Sequence, residues 1–279
     1  MKETQAILEN CCEEGGDAMT FEQVVGERSQ SFDPLLRAAR RGAAAMAAVA
    51  KMLANGEIRS IPKRVTEAQD ELSKAVAGIA EFGRTWEQCG LEQYFGWEEY
   101  VDELLRALDD ARVAYHRMHD VLYVYPSLVR LDRDSKTARI DKKSEARVRP
   151  RSLAGILGKV QNRPRSFPAA AFLRALLKVY RTLGSRNLRR SEVWTGKPML
   201  FRDIYDVWSA TPGANYSLQE FVRDIYLLDA SGEPLVTGGY LATLEASSSA
   251  RDEKRALSIV TRDGQRRLYC TIRFDPVGR

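Results

Sequence analysis

The sequence predicts an α+β protein in which an N-terminal α-helical bundle precedes a C-terminal part built on antiparallel hairpins. Three observations carry this prediction. Before Pro126, three consecutive segments repeat apolar residues at spacings of three and four, the period of a helix surface. After Pro126 the apolar period shortens to that of a strand. Near the C-terminus, Asp263-Gly264 stands between two alternating runs and reads as a type I′ hairpin turn. The expected division is a weakly structured segment 1–32, a helical bundle 33–125, a basic hairpin with helices 126–193 and a winged-helix-like domain 194–279.

In chain order, a weak helix ends at a Gly15-Gly16 break. Asp33 reads as an N-cap with Pro34 in the first helical position, and Asn55-Gly56 as the stop. The first coiled-coil-like seam is Leu36, Ala39, Ala43, Met46, Ala50 and Leu53. The second is Val65, Ala68, Leu72, Ala75, Ile79, Phe82 and Trp86. The third is Trp97, Val101, Leu104, Leu108, Ala111, Tyr115, Met118 and Leu122. A short loop near Gly90 to Gly96 makes the last two antiparallel neighbours. Such seams close an internal bundle or offer a face to a protein partner or a second copy. The acids Glu98, Glu99, Asp102, Glu103, Asp109 and Asp110 read as its solvated face.

Beyond Pro126, Leu128 to Leu131 and Thr137 to Ile140 read as a small hairpin, followed by a short helix near Leu153 to Val160. A stronger helix runs from Ser166 to Gly184, with Ser166 as cap, Pro168 in the first turn and Gly184 at the C-terminus. The segment from Leu200 to Ala210 reads as a helix. Ser217-Leu-Gln-Glu220 is a capping box opening the next helix, after a turn from Thr211 to Tyr216. Strands are expected at Tyr240 to Glu245, Ala256 to Arg262 and Arg266 to Phe274, with a polar loop from Ser247 to Arg255. On the last strand Leu268, Cys270, Ile272 and Phe274 point one way, and Arg267, Tyr269, Thr271 and Arg273 the other. Helix, turn, helix and hairpin in that order make the winged-helix expectation.

Charge is concentrated in the centre. Residues 127–193 hold 18 Lys or Arg against 5 Asp or Glu, a net of +13 within a chain of +5. Such a segment suits a polyanion, because phosphate neutralisation with counterion release dominates nucleic-acid affinity. The expected contacts are Arg130, Arg133, Lys136, Arg139, Lys142, Lys143, Arg147, Arg149 and Arg151 on and after the basic hairpin. Arg163 and Arg165 precede the 166–184 helix, and Arg174, Lys178 and Arg181 line its polar side, opposite Phe172, Leu173, Leu176, Val179, Tyr180 and Leu183. Arg266 and Arg267 join them from the last strand. No helix carries an evident base-reading set, so the expected function is non-catalytic DNA or RNA binding with little sequence preference.

Two alternatives stand beside it. Asp134-Ser-Lys136 and Asp141-Lys-Lys143 have the carboxylate-x-Lys form of metal-dependent nucleases. The helical seams suit an interaction subunit without nucleic acid. His116 and His119, three residues apart on the third helix, are expected to be a surface or seam-edge pair, since no HExxH and no companion cluster supports a metal. Cys11, Cys12, Cys89 and Cys270 show no CxxC pair and read as reduced thiols, Cys270 on the apolar side of a strand. No cofactor fingerprint is present, no apolar run approaches the length of a membrane span, and the acidic start lacks signal-peptide order. A cytoplasmic protein is expected.

Overall fold

The computed structural model describes residues 20–95, 98–163, 167–185, 195–210, 216–245 and 256–277. The Gly15-Gly16 break, Cys11, Cys12, Trp97, Arg165, Ser166, the polar loop 247–255 and most of the 211–216 turn lie outside these residues. The fold is α+β, with helices and antiparallel sheets. The described residues divide into two units: those within 20–111, 132–136 and 147–155 form the first, and those within 112–131, 137–146 and 156–277 the second. The expected boundary at Pro126 is therefore corrected, and the basic segment 126–193 is shared between the units.

In the first unit, α1 (Phe21–Asn55) and α2 (Ile61–Gln88) form a long helical hairpin through a 3-10 turn at Ile58–Ser60. The expected start of α1 at Asp33 is corrected. Thr20 is its N-cap, in a reciprocal capping box with Gln23. The buried carboxylate of Glu103 adds a second cap, accepting the Phe21 N–H at 2.8 Å and the Glu22 N–H at 3.2 Å. A negative charge at the positive end of the helix dipole and two satisfied orphan donors strengthen this start. Pro34 costs an interior helix roughly 3 kcal/mol. The double cap and burial of Phe21 and Val24 offset that cost, so α1 runs through Pro34. Gly56 ends it at φ 72°, as its sequence signal predicts.

The face of α1 turned inward is Leu35, Ala38, Gly42, Ala45, Val49 and Met52, one residue out of step with the predicted seam. On α2 the predicted Ala68, Leu72, Ala75, Phe82 and Trp86 do turn inward, but Val65 and Ile79 are exposed. The reason is glycine. Gly42 receives Leu72, and Gly78 receives Leu35: an added methyl at these glycines would fall 2.7 Å from Leu72 Cγ and 2.1 Å from Leu35 Cδ2. A count of apolar residues cannot see a glycine that serves as a hole.

At the end of the hairpin away from the Ile58–Ser60 turn, α3 (Leu91–Tyr94) and α4 (Glu98–Asp110) gather Phe21, Tyr94, Phe95, Tyr100, Leu104 and Leu108. Tyr100 packs on Phe21 and Phe95, with ring centroids 5.1 Å and 4.8 Å apart. Glu103 is part of this core, donated a hydrogen bond by the Tyr94 hydroxyl at 2.6 Å, which corrects its place on a solvated acidic face.

The predicted third helix is also corrected: it stops at Asp110. β1 (His116–Met118) and β2 (Val121–Val124) follow in antiparallel register, so the sheet begins before residue 120. A run of three-and-four spacings continued by coincidence through Val-Leu-Tyr-Val-Tyr, whose β-branched and aromatic residues favour strand. His119 takes φ 54° in the turn. β3 (Ser127–Asp132), β4 (Thr137–Ile140) and β5 (Lys143–Glu145) complete a five-stranded sheet in sequential order.

The second unit also holds the C-terminal part of α5 (Pro150–Gln161), then α6 (Ala169–Ser185), α7 (Phe201–Ser209) and α8 (Leu218–Asp229). The Ser217/Glu220 capping box opens α8 as predicted. β6 (Met199–Leu200), β7 (Val236–Thr237), β8 (Tyr240–Glu245) and β11 (Thr271–Pro276) form a four-stranded sheet in the order β6-β11-β8-β7. β9 (Leu257–Val260) and β10 (Arg266–Tyr269) form a separate hairpin. The expected single strand from Arg266 to Phe274 thus changes sheets at Cys270, and the alternation slips there: Tyr269 and Cys270 are both buried. The Asp263-Gly264 turn is not type I′, which needs two left-handed residues; Gly264 alone has positive φ, and its N–H donates to the Thr261 carbonyl at 3.0 Å. The core joins Tyr123 and Tyr125 to Leu173, Leu176, Phe221, Ile225, Ile272 and Phe274. No described helix is long and apolar enough to cross a membrane.

Candidate nucleic-acid interface

The second unit presents the cationic side of α6. Ala169, Phe172, Leu173, Leu176, Leu177 and Tyr180 are buried, while Arg174, Lys178 and Arg181 are exposed. Tyr180 anchors the inner side, its hydroxyl donating to the Lys197 carbonyl at 2.5 Å. At 1.5 Å rise per residue, the three cations span about 10 Å of one helix side. Val179 and Leu183 are half-buried, and Leu177, absent from the predicted apolar arc, is buried.

Beside this stripe lies a cleft of about 930 Å³, which sequence reasoning did not anticipate. Ala171 and Ala175 of α6 line it, neighbours of Arg174 and Lys178 at helical spacing. Phe167, Trp208 and Tyr226 supply aromatic surface, and Arg163 and Arg262 supply charge. The available signal was the run of aromatics after residue 194, which reads equally well as core.

The cleft also contains a half-buried charge cluster. Arg223 donates to Asp224 Oδ1 at 2.8 Å and to Asp141, whose carboxylate also accepts the Leu128 N–H at 3.0 Å and the Ser127 hydroxyl at 2.8 Å. The Tyr216 hydroxyl donates to Asp224 Oδ2 at 2.6 Å. Burial raises the Asp224 carboxyl against the pull of Arg223 and Tyr216, and burial with the Asp224 charge raises the Tyr216 hydroxyl. The cluster ties β3 and the β4–β5 turn to α8.

No family model, curated protein or solved structure matches the chain. The site therefore rests on its own geometry.

The other predicted contacts are dispersed. Arg133, Lys136, Arg147, Arg149 and Arg151 belong to the first unit, and Arg130, Arg139, Lys142, Lys143, Arg163, Arg266 and Arg267 to the second with the α6 stripe. Several serve the fold. Arg130 donates to Gln219 at 2.6 Å and Ser217 at 3.2 Å, and Arg149 pairs with Glu22 at 2.7 Å. Lys136 Nζ donates to the Arg133 carbonyl at 2.6 Å, and Arg139 Nε to the Asp141 carbonyl at 3.2 Å. Lys142 lies over the Tyr216 ring, Arg266 donates to Ser258 at 2.9 Å, and Arg267 pairs with Asp229 at 2.7 Å. Arg133, Lys143, Arg147, Arg151 and Arg163 are exposed.

His116 and His119 do not share a helix. His116 Nε2 is 3.0 Å from the Arg262 carbonyl, with its ring against Gly264, and among the described residues no metal-binding cluster occurs.

Proposed function

We propose that this protein binds nucleic acid without catalysing a reaction, holding phosphates through Arg174, Lys178 and Arg181 on α6, with little sequence preference. The observation that carries this reading is the division of α6 into a packed apolar side and an exposed side bearing three cations in two turns. Phosphate contacts position a strand without reading it, and aromatic faces such as Phe167 and Trp208 accept any base. The α7–α8 pair, followed after β7 and β8 by the β9–β10 hairpin, supports a winged-helix-like reading of the second unit, with Arg266 and Arg267 of that hairpin as backbone contacts. Acidic Glu220 and Asp224 on α8 disfavour that helix as the reading element. A nuclease is the weaker reading, because the Asp141 carboxylate is engaged by Arg223, Ser127 and Leu128.

Gel shifts on duplex and single-stranded DNA and RNA test the proposal. Reversal of all three α6 cations to Glu abolishes binding and leaves the far-UV circular dichroism unchanged. Binding that survives the reversal overturns it.

A second reading, an interaction face on the helical hairpin, is supported by the coiled-coil-like face of α1 and α2 that is left exposed.

A further inference from the structure

The two sides of the α1–α2 hairpin differ in chemistry. Arg41, Glu71 and Lys74 each stand one residue before an inward-facing position, namely Gly42, Leu72 and Ala75. Glu71 bridges the helices, 2.6 Å from Arg41 and 3.1 Å from Lys74. The residue before each inward position thus lies on one common side, so the residue after each lies on the opposite side, about 100° round each helix.

On α1 those following residues are Leu36, Ala39, Ala43, Met46, Ala50 and Leu53, the first of the coiled-coil-like seams that the sequence predicts. On α2 they are Gln69, Ser73, Val76, Ile79, Gly83 and, at the far end, Glu87. From Leu36 to Leu53 on α1 and from Gln69 to Gly83 on α2 none of them is charged. Met46 is 50% exposed, Leu53 62%, Val76 67% and Ile79 50%, and the hairpin holds eight of the eleven large apolar residues exposed among those described. Scattered exposed leucines are ordinary, but a continuous uncharged face is not.

We infer that this face pairs with the same face of a second copy, closing a four-helix bundle across a two-fold axis. This rests on the interaction-face reading and is independent of nucleic-acid binding. Two observations select a second copy over a foreign partner. Along the α1 stripe and from Gln69 to Gly83 on α2 the face carries no charge with which to select or orient a different protein, whereas an isologous interface needs only self-complementary relief. Small Ala39, Ala43 and Ala50 between large Leu36, Met46 and Leu53 provide that relief. The area also fits: the 18 residues of the Leu36–Leu53 stripe at 1.5 Å rise give about 27 Å of length, and two helices about 20 Å of width. Two copies would cover roughly 1,100 Å², above the ~1,000 Å² that a specific interface should clear.

Sedimentation equilibrium on the full chain up to about 100 μM, enough to populate a complex of micromolar Kd, tests this. Wild type sediments at twice the 31.4 kDa chain mass, and the Met46→Glu/Val76→Glu variant at the chain mass with unchanged helicity. Lys51→Glu, on the other side, stays dimeric. A monomeric wild type, or a dimeric double variant, overturns the inference. Binding of an apolar dye separates two causes of a monomeric wild type: dye binding lost in the double variant means an open face with another occupant, and no dye binding means no interaction face.

Discussion

Two glycine substitutions on the α1–α2 hairpin test its close packing with opposite signs. Alanine is favoured over glycine in a helix interior by about 1 kcal/mol. At exposed Gly83 an added methyl meets nothing within 4 Å, so Gly83→Ala stabilises by most of that amount. At Gly42 the same methyl falls 2.7 Å from Leu72 Cγ, 2.8 Å from Cδ2 and 3.4 Å from the Leu72 backbone nitrogen. Rotating the Leu72 tip cannot clear Cγ, so the helices must separate or Leu72 must leave its rotamer. Overpacking of this kind costs about 1–3 kcal/mol, which exceeds the propensity gain and leaves Gly42→Ala destabilising by roughly 1 kcal/mol. Thermal unfolding followed at 222 nm shows a midpoint about 2–4 °C below wild type for Gly42→Ala, and a rise of up to about that size for Gly83→Ala. A higher midpoint for Gly42→Ala would refute the packing of Leu72 into Gly42.

Two further predictions concern buried polar groups. Asp141→Ala leaves the Arg223 guanidinium with one carboxylate partner fewer and the Leu128 N–H without its acceptor, and destabilises by roughly 2–3 kcal/mol in urea unfolding. Burial holds Tyr94, Tyr100, Tyr125, Tyr216 and Tyr269 well above the ordinary phenol range near 10. A folded-state value above the unfolded one gives stability that is complete below the unfolded value and is lost as pH rises toward the folded one. Absorbance at 295 nm therefore shows these phenols silent at pH 11 in the folded protein, and they ionise together with loss of helix; early ionisation without unfolding would contradict their burial.

What the sequence disclosed follows from which signals are local. The Gly56 stop and the Ser217/Glu220 box were legible because the cap chemistry lies within a few residues. The start of α1 was missed because part of its cap, Glu103, comes from 82 positions away, and this outweighs Pro34. The turn from helix to strand near residue 110 was missed because the apolar spacing fits both periods. Of the candidate site, the α6 stripe was legible because one helix carries both its apolar and cationic sides. The cleft was not, because Phe167, Trp208, Tyr226 and Arg262 meet only in three dimensions. The commitment of Arg130, Arg149 and Arg267 to Gln219, Glu22 and Asp229 was hidden for the same reason.

The most direct test of phosphate binding by α6 is the salt dependence of affinity for duplex DNA. If about five phosphates are neutralised, log Kobs against log salt has a slope of roughly −4 to −5, and removing three cations makes it shallower by about 2.7. Neutralising Arg174, Lys178 and Arg181 to Ala is predicted to produce that change. Equal slopes for wild type and the triple variant would contradict the proposal.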